Sequence, residues 1–384
     1  MFPVKASILM LFLSATAHAD LTLTFGGDVN FNKTLQSPAG DGVRVRGRSY
    51  RFEELTAGLR PLIDGDMNFA NIETVVTSQT ALPPQDKAFV FRSHPNSILH
   101  LVDLGFNLFG LANNHSYNHG FAGLEETLST FEGLARTAPR PVLFAGIERT
   151  REDFGQARIL RIGAHTVAFA AIGIMDSQFR AGSASRAGVL NVKNQADYDL
   201  VLKSLREAAA DLKILSIHTG IEMKTSLEAG QRSMFERALS DGDVDLVLGH
   251  HPHVVRPVQS VQGKAIFYSL GNYLMVGSAN ITGRGVDTDY GLFGRAHFAW
   301  DASARRLKLQ AVEAIPLTDT HLQPKPLDAQ AAAARIQFLN SLSKRELGPT
   351  AMPFRTTAKG SGVFCNRQNL AYSPRAKAVC GEEE

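Results

Sequence analysis

The chain has 384 residues, of which 44% are hydrophobic and 20% are charged, and its formal net charge is +3. This composition is typical of globular proteins and excludes a mainly disordered or collagen-like chain. Because the small positive charge comes without a run of Lys or Arg, the sequence does not indicate a nucleic-acid-binding protein.

Residues 1–19 have the pattern of a secretory signal peptide. Lys5 precedes an apolar run from Ala6 to Ala15, and Ala17-His18-Ala19 is a small-x-small cleavage pattern. The run is short for a membrane span; the alternatives are a buried N-terminal strand or an uncleaved anchor. We expect the mature chain to begin at Asp20, to be soluble and secreted or periplasmic, and to contain no membrane span.

The pattern of apolar residues predicts strands that alternate with helices. In chain order, the first half contains a strand at Leu21–Phe25, a helix at Phe52–Leu59, a strand at Met67–Ile72, a helix at His94–Leu104, a strand at Phe106–Ala112, a helix at Gly123–Ala135 and a strand at Val142–Ala145. Strands follow at Ile159–Ile162 and Thr166–Ile174, then a helix at Tyr198–Leu212, a strand at Lys213–Ile217, a helix at Gln231–Ser240, strands at Val244–Leu248, Ala265–Ser269, Gly291–Trp300 and Arg306–Ile315, and a helix at Asp328–Leu347. This alternation indicates an α/β fold.

The remaining residues, 348–384, are predicted to be a tail that holds the two cysteines of the chain, Cys365 and Cys380. In an oxidising compartment this isolated pair can form a disulfide. The alternative is two reduced thiols, because sequence alone does not establish the geometry that a disulfide requires.

Polar side chains of the kinds that bind metals follow the ends of five predicted strands. They are Asp28, Glu73, Asn114 with His115, His218, and His251 with His253. In open α/β sheets, functional sites gather outside the carboxyl ends of the strands. We therefore expect these side chains to converge at one edge of the sheet.

The chemistry of this set points to metal ions. Carboxylate, amide and imidazole ligands suit Zn, Mn or Fe, and six ligands are too many for one tetrahedral ion. They fit two ions about 3.5–4 Å apart that share a bridging carboxylate, an arrangement that clamps a phosphoryl group and generates hydroxide near neutral pH. His115 would then be free to act as a general acid.

Each of these residues also has a purely structural interpretation. Asp28 and Asn114 are common turn residues, Glu73 could be a solvated charge, and His218 could be a buried core histidine. The cluster of His250, His251 and His253 is harder to explain in this way, because three charged imidazoles so close together would repel one another.

Six motifs occur in a characteristic order between about Leu21 and Ile315. They are Gly27-Asp28, Asn71-Ile72-Glu73-Thr74, Ala112-Asn113-Asn114-His115 with Gly120, His218-Thr219-Gly220-Ile221-Glu222, Gly249-His250-His251-Pro252-His253-Val254 and Phe267-Tyr268-Ser269-Leu270-Gly271-Asn272-Tyr273. On these motifs the chain resembles the bacterial capsule synthesis protein CapA family (PgsA-like, poly-γ-glutamate biosynthesis), which has a calcineurin-like metallophosphoesterase fold.

The resemblance implies an α/β/β/α sandwich of mixed sheets flanked by helices. Together with the signal-peptide pattern, it divides the chain into a signal peptide (1–19), a CapA-like domain (20–318) and a C-terminal helix and tail (319–384).

The resemblance also implies roles for individual residues. The expected metal ligands are Asp28, Glu73, Asn114, His218, His251 and His253, and the expected catalytic residues are His115 and Asn118. The expected substrate-binding residues are Asn30, Asn113, Glu222, His250 and Asn272. The chain departs from related patterns at three positions: Asn30 stands where many phosphoesterases have a histidine ligand, Asn118 replaces an acid, and Thr219 replaces an aromatic residue.

The function implied is the synthesis or export of capsule or poly-γ-glutamate, by a hydrolase of phosphoester-type bonds that uses two divalent ions (Mn, Zn or Fe). Its partners would be an anionic polymer or phosphoester substrate and the envelope biosynthesis machinery. Two alternatives stay open: a non-catalytic polymer-binding factor of the envelope, and a metal-dependent amide hydrolase acting on γ-glutamyl linkages.

Overall fold

A computed structural model describes residues 20–32, 40–150, 152–181, 186–366 and 372–381 of the chain. The predicted signal peptide lies outside these ranges. Within them, no helix combines the length and the apolar character needed to cross a bilayer.

The described residues form helices and strands throughout. The helices are α1 (Phe52–Thr56), α2 (Pro95–Leu104), α3 (Gly120–Thr137), α4 (Gln195–Glu207), α5 (Gln231–Ser240), α6 (Ala329–Leu347) and α7 (Pro374–Cys380). The strands are β1 (Leu21–Asn30), β2 (Gly42–Val45), β3 (Arg48–Arg51), β4 (Met67–Ile72), β5 (Val75–Val76), β6 (Arg92–Ser93), β7 (Leu108–Gly110), β8 (Leu143–Ala145), β9 (Arg158–Ile162), β10 (His165–Gly173), β11 (Leu212–His218), β12 (Leu246–His250), β13 (Val258–Val261), β14 (Lys264–Phe267), β15 (Asn272–Met275), β16 (Gly291–Asp301), β17 (Arg306–Thr318), β18 (Lys325–Pro326), β19 (Arg355–Thr356) and β20 (Gly362–Cys365).

Two large sheets dominate the architecture, and both are mixed. The first has the strand order β19-β20-β17-β16-β1-β4-β7-β8, with β15 paired to β1 and β18 paired to β17. The second has the order β13-β14-β12-β11-β10-β9. In the first sheet β1, β4, β7 and β8 are parallel, and in the second β10, β11, β12 and β14 are parallel. The carboxyl ends of each parallel set therefore share one edge of their sheet.

The two sheets pack face to face through aromatic side chains. Phe25 of β1 contacts Phe267 of β14 with ring centroids 4.9 Å apart, and Phe69 of β4 contacts Phe169 of β10 at 5.8 Å. Alternate residues of the second sheet point the other way, toward α4 and α5, where Tyr198 and Phe235 are buried. Because these strands are buried on both faces, they read as continuous apolar runs rather than as alternating ones.

Helices cover the outer faces, so the layers run helix, sheet, sheet, helix. On the outer side of the first sheet, Phe109 of β7 packs against Phe131 of α3 with centroids 5.2 Å apart. The predicted α/β fold of mixed sheets flanked by helices is therefore confirmed.

Some predicted boundaries are wrong for identifiable reasons. The helix predicted at Tyr198–Leu212 is Gln195–Glu207, because the Asn194 side chain accepts a hydrogen bond from the Asp197 backbone N–H and starts the helix earlier. Leu212 already belongs to β11, where it pairs with Val167. The β2–β3 hairpin and the strand β15 were not predicted at all.

The predicted tail has more structure than its sequence suggested. β20 pairs antiparallel with β17, with Gly362 opposite Ala314, so this segment extends the first sheet. Cys365 in β20 and Cys380 at the end of α7 are joined by a disulfide, with their Cα atoms 6.0 Å apart. The disulfide ties α7 to β20 of that sheet.

Candidate metal centre

The candidate ligands converge at the shared carboxyl edge of the two sheets. Asp28 lies near the end of β1, and Glu73 and Asn114 follow β4 and β7 of the first sheet. His218 ends β11 of the second sheet, and the His251 loop follows β12. Strand order therefore brings together residues that are more than 200 positions apart in the chain.

Glu73 is at the centre of the group and is fully buried. Its Oε1 lies 3.4 Å from His218 Nε2 and 3.9 Å from His115 Nε2, and its Oε2 lies 3.8 Å from His253 Nδ1. Neither carboxylate oxygen has a hydrogen-bond partner among the described residues. A buried carboxylate with no donor is costly, and a cation would remove that cost.

Two sets of side chains have the spacing of a metal site, and they share Glu73. One set is Glu73, His218 and His251, and the other is Asp28, Glu73 and His253; within each set the ligand atoms lie within 4.8 Å of one another. Asn114 adjoins the first set, with its Oδ1 2.8 Å from His218 Nε2. The shared carboxylate is the geometry expected of two neighbouring ions.

The two carboxylates differ in their electrostatics. Burial alone would raise the pKa of Asp28, but the adjoining imidazoles of His250 and His253 outweigh it and hold the pKa well below its ordinary value. Burial, and then the neighbouring Asp28 carboxylate, raise the pKa of Glu73 well above its ordinary value. Both groups can be ionised together only if a cation compensates the second charge.

The backbone at the site is unusually constrained. His251 and His253 have φ values of 97° and 57°, in the left-handed region that residues other than glycine rarely occupy. Gly27 stands where a Cβ atom would lie 1.7 Å from the carbonyl oxygen of Gly271. This close approach lets the Asp28 backbone N–H donate to that oxygen at 3.0 Å and seats Asp28 beside Asn272.

His115 is held in one orientation by Asn118 and Phe91. The Phe91 backbone N–H donates to Asn118 Oδ1 at 2.8 Å, which makes that atom the acceptor that faces His115 Nδ1 at 2.7 Å. The Phe91 ring stacks on the His115 ring at 4.2 Å. The proton of a neutral His115 therefore lies on Nδ1, and the unprotonated Nε2 faces Glu73. Burial, partly opposed by the Asn118 hydrogen bond, lowers the pKa of His115 to about 4.

The residues expected to bind substrate fall into different environments. Glu222 is exposed, and its charge contributes to the shifted pKa of Glu73, which places it at the edge of the cluster. Asn272 is nearly buried and faces His253, with its Oδ1 2.9 Å from His253 Nδ1. Its position is that of a residue that orients this imidazole.

The other three are buried, and the assignment of direct substrate contact does not suit them. His250 lies beneath Asp28, with Nδ1 3.4 Å from Oδ1, and packs on Phe69. Asn113 donates to the Ile72 carbonyl and accepts from the His115 backbone N–H. The side-chain Oδ1 of Asn30 accepts from the Asn32 backbone N–H at 2.8 Å. These side chains shape the loops that carry the ligands.

Three contributors escaped the sequence analysis. Asn71 donates to Asp28 Oδ1 at 2.8 Å and lies 3.2 Å from His218 Nδ1, linking the two sheets. Phe91 orients the catalytic candidate, as described above. Lys87 donates to the Asn114 carbonyl at 2.9 Å and lies over the Tyr117 ring. Asn71 belongs to a recognised motif, but nothing in the local sequence marks Phe91 or Lys87.

Comparison with known structures finds low-level likeness to phosphoesterases. The chain aligns with a calcineurin-like phosphoesterase, YfkN from Bacillus subtilis, at 14% identity and a TM-score of 0.44, covering 85% of this chain and 98% of that chain. It aligns with a novel phosphatase from Mycoplasma pneumoniae at 14% identity and a TM-score of 0.44, covering 78% and 93%.

Comparison with curated proteins finds closer relatives. PGA biosynthesis protein CapA of Bacillus subtilis (strain 168) is 30% identical over 208 residues, covering 53% of this chain and 52% of that protein. Capsule biosynthesis protein CapA of Bacillus anthracis is 26% identical over 268 residues, covering 66% and 59%. The chain thus spans between 52% and 59% of the length of these two relatives.

A family model described as bacterial capsule synthesis protein PGA_cap matches residues 22–276. This range begins in β1, ends just after β15 and contains every candidate ligand described above. The chain belongs to the bacterial capsule synthesis protein family.

Proposed function

We propose that this chain is an exported, divalent-metal-dependent hydrolase of phosphoester-type bonds that serves the synthesis or export of an anionic capsule polymer such as poly-γ-glutamate. The observation that carries the proposal is the pair of ligand sets that share Glu73. Family membership supports the biological setting, and the predicted signal peptide supports export.

The residues fit two divalent ions. Asp28, Glu73 and His253 would hold one ion, and Glu73, His218 and His251 would hold the other, with Asn114 adjoining. Oxygen and imidazole ligands without thiolates suit Mn, Zn or Fe. Bound ions would supply Lewis acidity toward a phosphoryl oxygen and lower the pKa of water.

His115 would move the proton. Its Nδ1–H donates to Asn118 Oδ1, and its unprotonated Nε2 faces Glu73. In this proposal Nε2 accepts the proton that the attacking water gives up and passes it to the leaving-group oxygen. Asn118 and Phe91 act on the reaction by holding the ring in this tautomer and orientation.

A second candidate is a non-catalytic factor that binds the polymer. The observation that favours it is Asn30, which stands where many phosphoesterases have a histidine ligand and whose side-chain Oδ1 already accepts a hydrogen bond from the Asn32 backbone N–H. The Asp28 set then has three ligands rather than four, which would weaken the binding of the ion at that set.

Metal analysis combined with a phosphodiester assay distinguishes these functions. Protein loaded with Mn, Zn or Fe should retain about two ions per chain and hydrolyse bis-p-nitrophenyl phosphate. Asp28→Asn should lose turnover and one ion, whereas Asp103→Asn, an exposed control on α2, should behave like the wild type.

Other outcomes point elsewhere. Metal-loaded protein that cleaves γ-glutamyl-p-nitroanilide but no phosphodiester would support an amide hydrolase. No metal and no turnover on either substrate would support the binding factor and contradict our proposal.

Export is tested separately by N-terminal sequencing of the protein recovered outside the cytoplasm. We expect the sequence to begin at Asp20, and recovery of Met1 would contradict export with cleavage.

A further inference from the structure

Exposed apolar side chains border the candidate metal centre. Among the described residues, seven large hydrophobic side chains are exposed, and three of them lie on two loops next to the cluster. They are Phe89, which is 67% exposed, Ile221, which is 52% exposed, and Met223, which is 46% exposed. We call these three residues the apolar rim.

Phe89 reaches the cluster through an aromatic contact. Its ring lies 6.4 Å from the Phe91 ring, which stacks on His115 at 4.2 Å. His115 Nε2 in turn lies 3.9 Å from Glu73 Oε1. Phe89 is part of the run Ala88-Phe89-Val90-Phe91. These four consecutive apolar residues lie outside any helix or strand and directly precede β6.

Ile221 and Met223 border the cluster from the second sheet. The Met223 backbone N–H donates to the carbonyl of Pro252 at 2.8 Å, and Pro252 stands between the ligand candidates His251 and His253. The carbonyl of Ile221 accepts from the Arg256 guanidinium at 2.9 Å, so the loop that presents both side chains is anchored. The rim therefore borders the cluster through His115 on one side and through the His251–His253 loop on the other.

Single exposed hydrophobic residues are normal and need no explanation. Ile159 and Leu200, for instance, line a surface cavity formed by β9 and α4. The rim differs because its members stand on loops that contact the catalytic candidate and the ligand loop.

The charge at the rim indicates what kind of group it would accept. Glu222 stands between Ile221 and Met223, is exposed, and is close enough to contribute to the shifted pKa of both Glu73 and His253. A carboxylate here disfavours a second anionic group of the ligand beside it. An uncharged apolar group would meet no such penalty and would cover exposed apolar surface.

We propose that the apolar rim binds the uncharged alkyl or aromatic part of the substrate while its single phosphoester enters the metal centre. This inference rests on the proposed hydrolase function and narrows it. The substrate class is an amphipathic phosphoester rather than a chain that is anionic along its whole length.

The test varies only the group that is not cleaved. Methyl, hexyl and phenyl p-nitrophenyl phosphodiesters share one leaving group, and Mn-loaded full-length protein is assayed on each. We expect KM for the hexyl or the phenyl diester to be about tenfold below that for the methyl diester, because part of the added apolar surface leaves water. A preference for hexyl indicates a lipid-like chain, and a preference for phenyl indicates an aromatic group.

Variants link this preference to the rim. Phe89→Ser combined with Ile221→Ser should abolish the KM difference among the three diesters, while the metal content stays at the wild-type value. Ile159→Ser is the matched control, because Ile159 is 50% exposed on β9 and away from the rim. It should keep the full preference.

Binding provides a readout that does not require turnover. Calorimetry with hexylphosphonate and methylphosphonate should show the same preference and its loss in the double variant. If the protein binds hexylphosphonate more tightly than methylphosphonate but hydrolyses no diester, the apolar rim is supported and the hydrolase proposal is refuted. If the protein hydrolyses the diesters without preferring the hexyl or phenyl group, the rim proposal is wrong and the hydrolase proposal stands. The same holds if the preference persists in the double variant.

Discussion

Glu73 is the residue on which the metal centre depends most. Because it belongs to both ligand sets, Glu73→Gln should reduce the bound metal from about two ions to below one and abolish turnover. With metal bound, the wild type should be the more stable protein. In EDTA, which removes the metal, Glu73→Gln should be at least as stable as the wild type, because it lacks a carboxyl group that is costly to bury.

Metal analysis and thermal melting with and without EDTA measure these effects. His115→Asn is the control, since it should lose turnover and retain the metal. A Glu73→Gln protein that still holds two ions would contradict the shared-ligand geometry.

Asn118 fixes the tautomer of His115 without adding charge. Asn118→Ala should lower kcat by about 10- to 100-fold with metal content unchanged, because the ring loses the acceptor that orients it. Asn118→Asp should keep the orientation and raise the pKa of His115 above its value of about 4, because a carboxylate beside Nδ1 favours the imidazolium.

The His115 pKa is measured by NMR titration of the imidazole in both proteins. An unchanged pKa in Asn118→Asp would show that the 2.7 Å contact does not govern the ring.

At the scale of elements, the loop after β11 is held by a buried arginine. Arg256 is fully buried; its Nη1 donates to Glu228 at 2.7 Å and to Gln231 at 2.8 Å, and its Nε donates to the Lys224 carbonyl at 2.8 Å. Arg256→Met should reduce the free energy of unfolding by about 3 kcal/mol, because Glu228 loses its buried cationic partner and the carbonyls of Ile221 and Lys224 lose their donor.

Urea denaturation measures this loss. Arg256→Met combined with Glu228→Gln should recover part of it, because the unpaired charge is gone. If the double variant loses as much stability as the sum of the two single variants, the pair is not coupled.

The segment between β8 and β9 contains another carboxyl group with a shifted pKa, Glu148. Burial, partly opposed by the hydrogen bond from the Gly155 backbone N–H, raises the pKa of Glu148 from 4.5 to about 7. Between about pH 4.5 and pH 7, Glu148 is therefore protonated in the folded state and ionised in the unfolded state. The contribution of Glu148 to stability is present below about pH 4.5 and is lost as the pH rises to about 7.

Glu148→Gln keeps an acceptor for Gly155 and cannot ionise. The difference in unfolding free energy between variant and wild type should grow in favour of the variant by about 2.5 kcal/mol from pH 5 to pH 8. Urea denaturation across this pH range measures it. Parallel pH profiles would show that Glu148 titrates normally.

For the whole molecule, the disulfide fastens the C-terminal helix to the first sheet. The Arg375 side chain of α7 also donates to Asp66 at 2.7 Å, so the helix is attached at two points. Reduction should lower the free energy of unfolding by about 3 kcal/mol, the value expected for a closed loop of this length. Denaturation with and without dithiothreitol measures the effect.

The double variant Cys365→Ser/Cys380→Ser is the control and should not respond to the reductant. Two titratable thiols in unreduced protein would contradict the bond.

The sequence by itself determined the fold class and the family. Strands buried on both faces, such as β11 and β12, must be continuous apolar runs, and such runs are visible in the amino-acid sequence. The ends of those runs are also local features, so Asp28, Glu73 and His218 could be selected as ligand candidates before any contact was known.

Only the tertiary structure decided how these residues meet. Asn71 and His218 lie 147 positions apart and are brought together by the packing of two sheets, which no local pattern encodes. The stacking of Phe91 on His115 and the pairing of β20 with β17 depend likewise on contacts between distant segments. Local sequence sets the period and the polarity of each element, whereas the register of the strands and the packing of the sheets determine which side chains share a site.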